Sequence, residues 1–179
     1  MRFRQLNGAP RRFRSALQSR SDPTAFALSI GVRMGVGCRC YGTEKATWGS
    51  EPYLIELGDD VTVVSGARFL THDGAVSIIR SRRPAADLIS PIRIGSRVFI
   101  GCSAIILPGT VIGDDCIVAA GAVVSGMVDS GQIVAGVPAR PIGTVDDWYI
   151  RHEADFVDTG LLDPEAKREF LLRRFGMNS

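Results

Sequence analysis

The chain reads as an all-β solenoid, a parallel β-helix wound from hexapeptides, with an extruded loop and a C-terminal α-helical cap. Three observations carry that reading. Ile94, Ile100, Ile106, Ile112, Val118 and Val124 recur every six residues. Four positions after each stand Val98, Ala104, Thr110, Cys116, Ala122 and Val128, all small or β-branched. Composition agrees: 20 glycines and 7% aromatics suit tight corners around a narrow interior. Strands have period 2 and helices period 3.6, so a sustained period of six calls for a short flat strand followed by a corner.

Taken in order, residues 1–27 form a basic N-terminal arm. Arg2, Arg4, Arg11, Arg12, Arg14 and Arg20 fall there with no acidic residue among the first twenty. A solvated terminus is the expectation; an arm for an anionic partner is the alternative. The coil is expected over residues 28–143. Upstream, Ile30 and Val36 open hexapeptides with Met34 and Cys40 in the small slots. Leu57, Val63 and Phe69 follow, carrying Val61, Ala67 and the pattern-breaking Asp73. The frame is lost between about Thr43 and Pro52, and again over 74–93. That second gap holds Arg80, Arg82, Arg83 and Pro84, and is read as a loop extruded at a corner, where solenoids place binding sites.

Residues 144–179 change character and form a helical extension. Asp163, Pro164 and Glu165 supply an N-cap, a first-turn proline and an acid at the positive end of a helix. Ala166, Phe170, Leu171 and Phe175 give that helix an apolar face, read as packing onto the coil.

Charge and cysteine usage narrow the function. Net charge is +2, so no global field argues for nucleic acid or membrane. No run of eighteen apolar residues occurs and the N-terminus lacks a secretory apolar stretch, so a cytoplasmic protein is expected. Cys40 and Cys116 fall on inward slots and Cys38 and Cys102 at corners. The Cys38–Cys40 pair lacks zinc spacing, so structural thiols are expected.

The strings Ile94-GSRVFIGCSAIILPGTVIGDDCIVAAGAVV and Ile133-VAGVPARPI resemble the left-handed β-helix acyltransferases, the hexapeptide-repeat family. Glu51-PYLIELGDDVTVVSGARFLTHDG is similar to one branch of it, the sugar and polysaccharide O-acetyltransferases of bacterial surface-glycan clusters. The resemblance covers roughly residues 28 to 145, and the left hand of the coil comes from it rather than from the period. It implies acetyl transfer from acetyl-CoA to a hydroxyl of a sugar or glycan. It also implies a homotrimer whose site is completed by adjacent subunits, and no metal.

The family's general base matches His72, at the end of the Phe69–Leu70–Thr71 strand and just before the loop. A thioester is already an activated donor, so the enzyme's task is to remove a proton from a weakly acidic hydroxyl. A neutral imidazole suits that task. Its second nitrogen needs an orienting acceptor: Asp73, a backbone carbonyl or Glu51. His152 is read as a surface residue.

Carried over by motif, coenzyme contacts fall on Gly101, Cys102, Ala120, Ser125 and Arg140, the last pairing with a phosphate. Ser125–Gly126–Met127 stands where the family commonly has Thr–Lys–Asp, and Gly143 where a basic residue is frequent. Weaker coenzyme binding, or compensation by Arg80, Arg82 or Arg83, is expected. Trp48, Glu51 and Tyr53 are candidates for holding the acceptor.

Other functions fit the same residues. One is N-acetylation of an amino sugar or acetylation of a drug-like alcohol. A second is a non-catalytic scaffold or sugar-binding module. A zinc-dependent carbonic anhydrase on this fold would need three imidazoles, and the chain has two widely separated histidines.

Overall fold

A computed structural model describes residues 22–177. The arginine-rich stretch over 1–21 lies outside the described residues. Helix α1 (Pro23–Ser29) is the first element among the described residues, capped by the Asp22 side chain accepting from the Ala25 N–H at 2.9 Å, with proline in its first turn. Phe26 and Ala27 are buried in one apolar cluster with Val32 and Cys40, so the helix covers the start of the coil. This helix falls partly inside the stretch 1–27 read as an arm. An arginine-rich composition does not reveal the short amphipathic helix at its edge.

The strands follow as β1 (Arg33–Met34), β2 (Arg39–Tyr41), β3 (Ile55–Leu57), β4 (Thr62–Val64), β5 (Arg68–Phe69), β6 (Ile92–Ile94), β7 (Phe99–Ile100), β8 (Ile105–Ile106), β9 (Val111–Ile112), β10 (Ile117–Val118), β11 (Val123–Val124), β12 (Met127–Val128), β13 (Gln132–Ala135) and β14 (Arg140–Thr144). They form three sheets: β1-β3-β6-β9-β12, β2-β4-β7-β10-β13-β14, and β5-β8-β11. Every neighbouring pair is parallel except β13–β14. Consecutive strands visit the three faces in turn, which defines a three-sided parallel β-helix.

Register stacks like on like inside the prism. Met34, Leu57, Ile94, Ile112 and Val128 form one ladder. Cys40, Val63, Ile100, Val118 and Val134 form the second. Phe69, Ile106 and Val124 form the third. The small slots Val61, Ala67, Val98, Ala104, Thr110, Cys116 and Ala122 are all buried, as the period demands. Most of these side chains lose nearly all contact with water, each burial contributing about 1.5–3 kcal/mol for a Val- or Ile-sized group.

Two phases differ from the sequence reading. Met34 and Cys40 occupy the large-residue ladders, aligned with Leu57 and Val63, and half-buried Cys38 packs against the core. Val36, expected to open a hexapeptide, is 77% exposed at a corner, its N–H bonded to Asp59 Oδ1. Two hexapeptides bounded by breaks are too few to fix a phase. Val128 likewise stands in line with Ile112, because it follows Val124 by four positions instead of six. Gly126, at φ +76°, makes that tighter corner.

One corner is zipped by side chains. Asp59 N–H donates to Ser96 Oγ, Ser96 N–H to Asp114 Oδ1, and Asp114 N–H to Ser130 Oγ, at 3.1, 2.7 and 3.0 Å. The next position in each layer, Asp60, Arg97 and Asp115, has φ near +55°. Arg97 Nη2 donates to Asp115 Oδ2 at 2.8 Å along that edge. Burial pushes the thiols of Cys38 and Cys116 up, and Cys40 to about 11, so these interior sulfurs behave as small apolar groups.

From Asp147 the chain is a second compact unit. Helix α2 (Val145–His152) leads into it, and Trp148, Tyr149, His152 and Phe156 pack with centroids 5.2–5.9 Å apart. Helix α3 (Pro164–Arg174) is capped by Asp163, which accepts from the N–H groups of Glu165 and Ala166. Ala166, Phe170 and Leu171 are half-buried; Phe175 is 63% exposed. Among the described residues no helix is long and apolar enough to cross a membrane.

Candidate active site

The coil is interrupted once its third face is reached for the second time. After β5 the chain runs Leu70–Thr71–His72, departs, and returns through Ile89–Ser90 into β6. Leu70 N–H still bonds to Ile106 O at 2.8 Å, so the backbone keeps to the ladder up to this point. The two legs of the loop then hold each other. Ser90 N–H donates to Thr71 O at 2.8 Å, Asp73 N–H to Leu88 O at 2.9 Å, and His72 faces Ile89 in an antiparallel bridge. His72 therefore sits where an ordered coil meets an ordered loop, and its side chain keeps 44% of its exposure.

The first coil lacks a strand on this third face. A short 3₁₀ turn, Lys45–Trp48, takes its place and stacks the indole of Trp48 on Phe69, centroids 5.2 Å apart and planes 15° from parallel. Trp48 is fully buried, so it offers no face to an acceptor. Its role is to pack beneath the strand that carries His72, which corrects the substrate reading. Its Nε1 is buried without a hydrogen-bond partner among the described residues. Tyr53 is 59% exposed and remains available to a ligand.

Glu51 reaches across to the end of β5 that leads into Thr71 and His72. Its Oε2 accepts from Thr71 Oγ1 at 2.6 Å and from His72 Nδ1 at 3.0 Å. The Thr71 hydroxyl, then the bond and charge of His72, hold this carboxyl below the usual carboxylate range against the opposing effect of burial. An ionised Glu51 accepts and cannot donate, so Nδ1 carries the hydrogen, and in the neutral ring Nε2 is then the nitrogen with the lone pair. Glu51 is thus bonded to the imidazole through Oε2, a contact beyond the acceptor-holding one expected of it.

Asp73 does something else. Its Oδ1 accepts from the Ala75 N–H at 2.8 Å, capping the 3₁₀ turn Gly74–Ile79. The hydrogen bond on His72 Nδ1 goes to Glu51 and that of Asp73 Oδ1 to Ala75, so Asp73 is not the partner on that nitrogen. Glu51, His72 and Asp73 line one cleft of about 200 Å³ with Gly74, Val76, Arg80, Asp87, Leu88 and Ile89. His152, by contrast, belongs to the aromatic group of the C-terminal unit, its Nδ1 bonded to Trp148 O at 2.8 Å.

The residues assigned to coenzyme fall into two groups. Gly101, Cys102 and Ala120 lie at the corner where the chain enters the third face. Ser125 lies at the corner where it leaves, on the His72 side but two layers further along. Layers are about 4.8 Å apart. Gly101 is buried, and a Cβ there would meet Ala120 N and Val118 O at 2.7 Å. It is required for coil stacking and exposes no N–H to a ligand. Cys102 and Ala120 are exposed, as are Ser125 and Arg140. Arg140 Nη1 donates to Ala139 O at 2.8 Å. Arg80, a candidate to replace the missing lysine, is engaged with Pro84 O and Asp87 inside the loop. Among the described residues no group of three or more His, Cys, Asp or Glu is placed to hold a metal.

A three-sided hexapeptide coil with an oriented histidine at a corner defines the class. Comparison with known proteins places the chain within it. The bacterial transferase hexapeptide family (six repeats) matches residues 91–126. Protein CapG of Staphylococcus aureus is 42% identical over 151 residues, covering 83% of this chain and 87% of that protein. Galactoside O-acetyltransferase of Escherichia coli K12 is 29% identical over 121 residues, 67% of this chain, which spans only 58% of that enzyme. A serine acetyltransferase from Brucella abortus, solved with coenzyme A, is 28% identical over 64% of this chain and 40% of its own, with a TM-score of 0.48. The chain belongs to the hexapeptide-repeat acyltransferase family.

Proposed function

We propose that this protein transfers an acetyl group from acetyl-CoA to a hydroxyl of a sugar or glycan, with His72 as general base and Glu51 as its positioning residue. The observation that carries the reading is the 3.0 Å contact between His72 Nδ1 and Glu51 Oε2 at the edge of a cleft. Nε2 takes the proton as the acceptor oxygen attacks the thioester carbonyl. The tetrahedral oxyanion collapses, the C–S bond breaks, and the imidazolium returns its proton to the departing thiolate. No enzyme nucleophile is needed. The kinship with a galactoside O-acetyltransferase supports a sugar hydroxyl as acceptor.

The reading includes a left-handed coil and a homotrimer, both carried by the family resemblance. The separation of Cys102 and Ala120 from His72, at opposite edges of one narrow face, supports the trimer. A neighbouring copy can bring one edge against the other. Release of thiol from acetyl-CoA with a sugar panel tests the proposal. His72→Ala should slow the sugar-dependent rate by about 10²- to 10⁴-fold. Equal rates for the variant and the parent protein would remove His72 from the mechanism.

A further inference from the structure

The loop that closes the cleft carries groups that the acetyl-transfer step does not use. Asp73 and Asp87 both line it, on opposite legs of the loop. The His72–Ile89 bridge and the Asp73 N–H bond to Leu88 O bring Asp73 against the leg that carries Asp87. A Cβ added at Gly74, which lines the same cleft, would meet nothing within 4 Å, so the space there is open. Each carboxylate has one oxygen already committed, Asp73 Oδ1 to Ala75 N–H and Asp87 Oδ1 to Arg80 Nη2 at 2.8 Å. Among the described residues neither Oδ2 accepts a hydrogen bond, and both stand ready to accept from a ligand.

Arg80 is the cleft's one guanidinium, and it is held on two sides. Nη2 binds Asp87 and Nη1 donates to Pro84 O at 3.1 Å. It braces the loop and neutralises one carboxylate. With Glu51 ionised, the cleft lining carries three carboxylates against that single braced cation. An incoming anion meets net repulsion there. A neutral sugar meets two carboxylates that can accept from its hydroxyls, with apolar Val76, Leu88 and Ile89 in the same lining.

We propose that the Asp73–Asp87 pair, braced by Arg80, makes this loop an acceptor filter that takes an uncharged sugar and turns away sugars bearing a carboxylate or phosphate. The inference rests on the acetyl-transfer reading and names its substrate class. Asp87 is 59% exposed at its side chain, so its substitution leaves the coil intact. The decisive comparison is kcat/KM for a hexoside and its matching hexuronide, in the full chain and in Asp87→Asn. The parent protein should prefer the neutral sugar by at least tenfold. High salt should narrow the gap, because it screens exposed charges, and Asp87→Asn should narrow it severalfold, mainly through KM. Equal turnover of the two sugars, preference for the hexuronide, or an unchanged ratio in Asp87→Asn would overturn the filter while leaving acetyl transfer standing. Thiol release that no sugar accelerates, and that His72→Ala leaves untouched, would instead overturn the acetyl-transfer reading on which it rests.

Discussion

Glu51→Gln isolates the arrangement on which the mechanism turns. Glutamine keeps the length and branching of the side chain, so Thr71 Oγ1 can still donate to an amide oxygen at the position where it now lies 2.6 Å from Oε2. What disappears is the negative charge facing His72 Nδ1. A hydrogen bond to a charged group contributes about 1.5–3 kcal/mol. That charge matters most when the imidazole becomes cationic in the transition state, and each 1.36 kcal/mol is tenfold in rate. The variant should therefore lose about 10- to 150-fold in kcat while KM for acetyl-CoA stays within about twofold, since Glu51 reaches no residue assigned to coenzyme. Steady-state thiol release, with kcat and KM separated, reads the effect. In a His72→Ala background the same substitution should cost nothing further, because two groups acting as a unit are not additive. A kcat within twofold of the parent protein, or an equal loss without His72, would refute the orienting role.

Other substitutions separate packing from ligand binding. Trp48→Ala should lower the unfolding free energy by about 3–5 kcal/mol in urea titration, as for a large buried aromatic, whereas Tyr53→Ala should change it by less than about 0.5 kcal/mol. Gly101→Ala should destabilise by about 1–3 kcal/mol through overpacking against the next coil, read as a lower Tm. Arg140→Ala should weaken coenzyme A binding about tenfold by calorimetry if it pairs with a phosphate; an unchanged Kd removes it from the site. Glu51 also predicts a pH dependence. Its folded pKa lies below its unfolded value, so its contribution to stability is complete above about pH 5 and is lost as pH falls through the folded value. The difference in urea midpoint between the parent protein and Glu51→Gln should be flat from pH 7 to about 5.5 and shrink below it. A difference that grows on acidification would contradict the assignment.

Much of the fold was legible because the period is a one-dimensional signal. From Ile94 to Val124 every sixth residue is buried, and each small slot between them is buried too. Local chemistry was legible for the same reason: the Asp163–Pro164–Glu165 start of α3 involves contacts three residues apart. His72 drew notice because a histidine beside a frame break is visible along the chain, and the base role proposed for it came with the family resemblance. Where the repeat is short or interrupted the phase slipped, as at Val36 and Val128, since one glycine corner shifts every later slot without changing composition.

The roles of Trp48, Glu51, Asp73 and Gly101 were of a different kind. Glu51 meets Thr71 and His72 across 20 and 21 residues, a separation close to one coil. Residues about one coil apart lie side by side, and that relation is the signal that points to Glu51 rather than adjacent Asp73. The repeat alone determined that the chain winds into a stacked apolar prism, because side-chain burial depends only on position within six residues. Which carboxylate meets the imidazole, which indole lies under it and which glycine touches the next layer were settled by stacking. Those contacts join different turns of the coil, and their geometry exists only once the layers are in register.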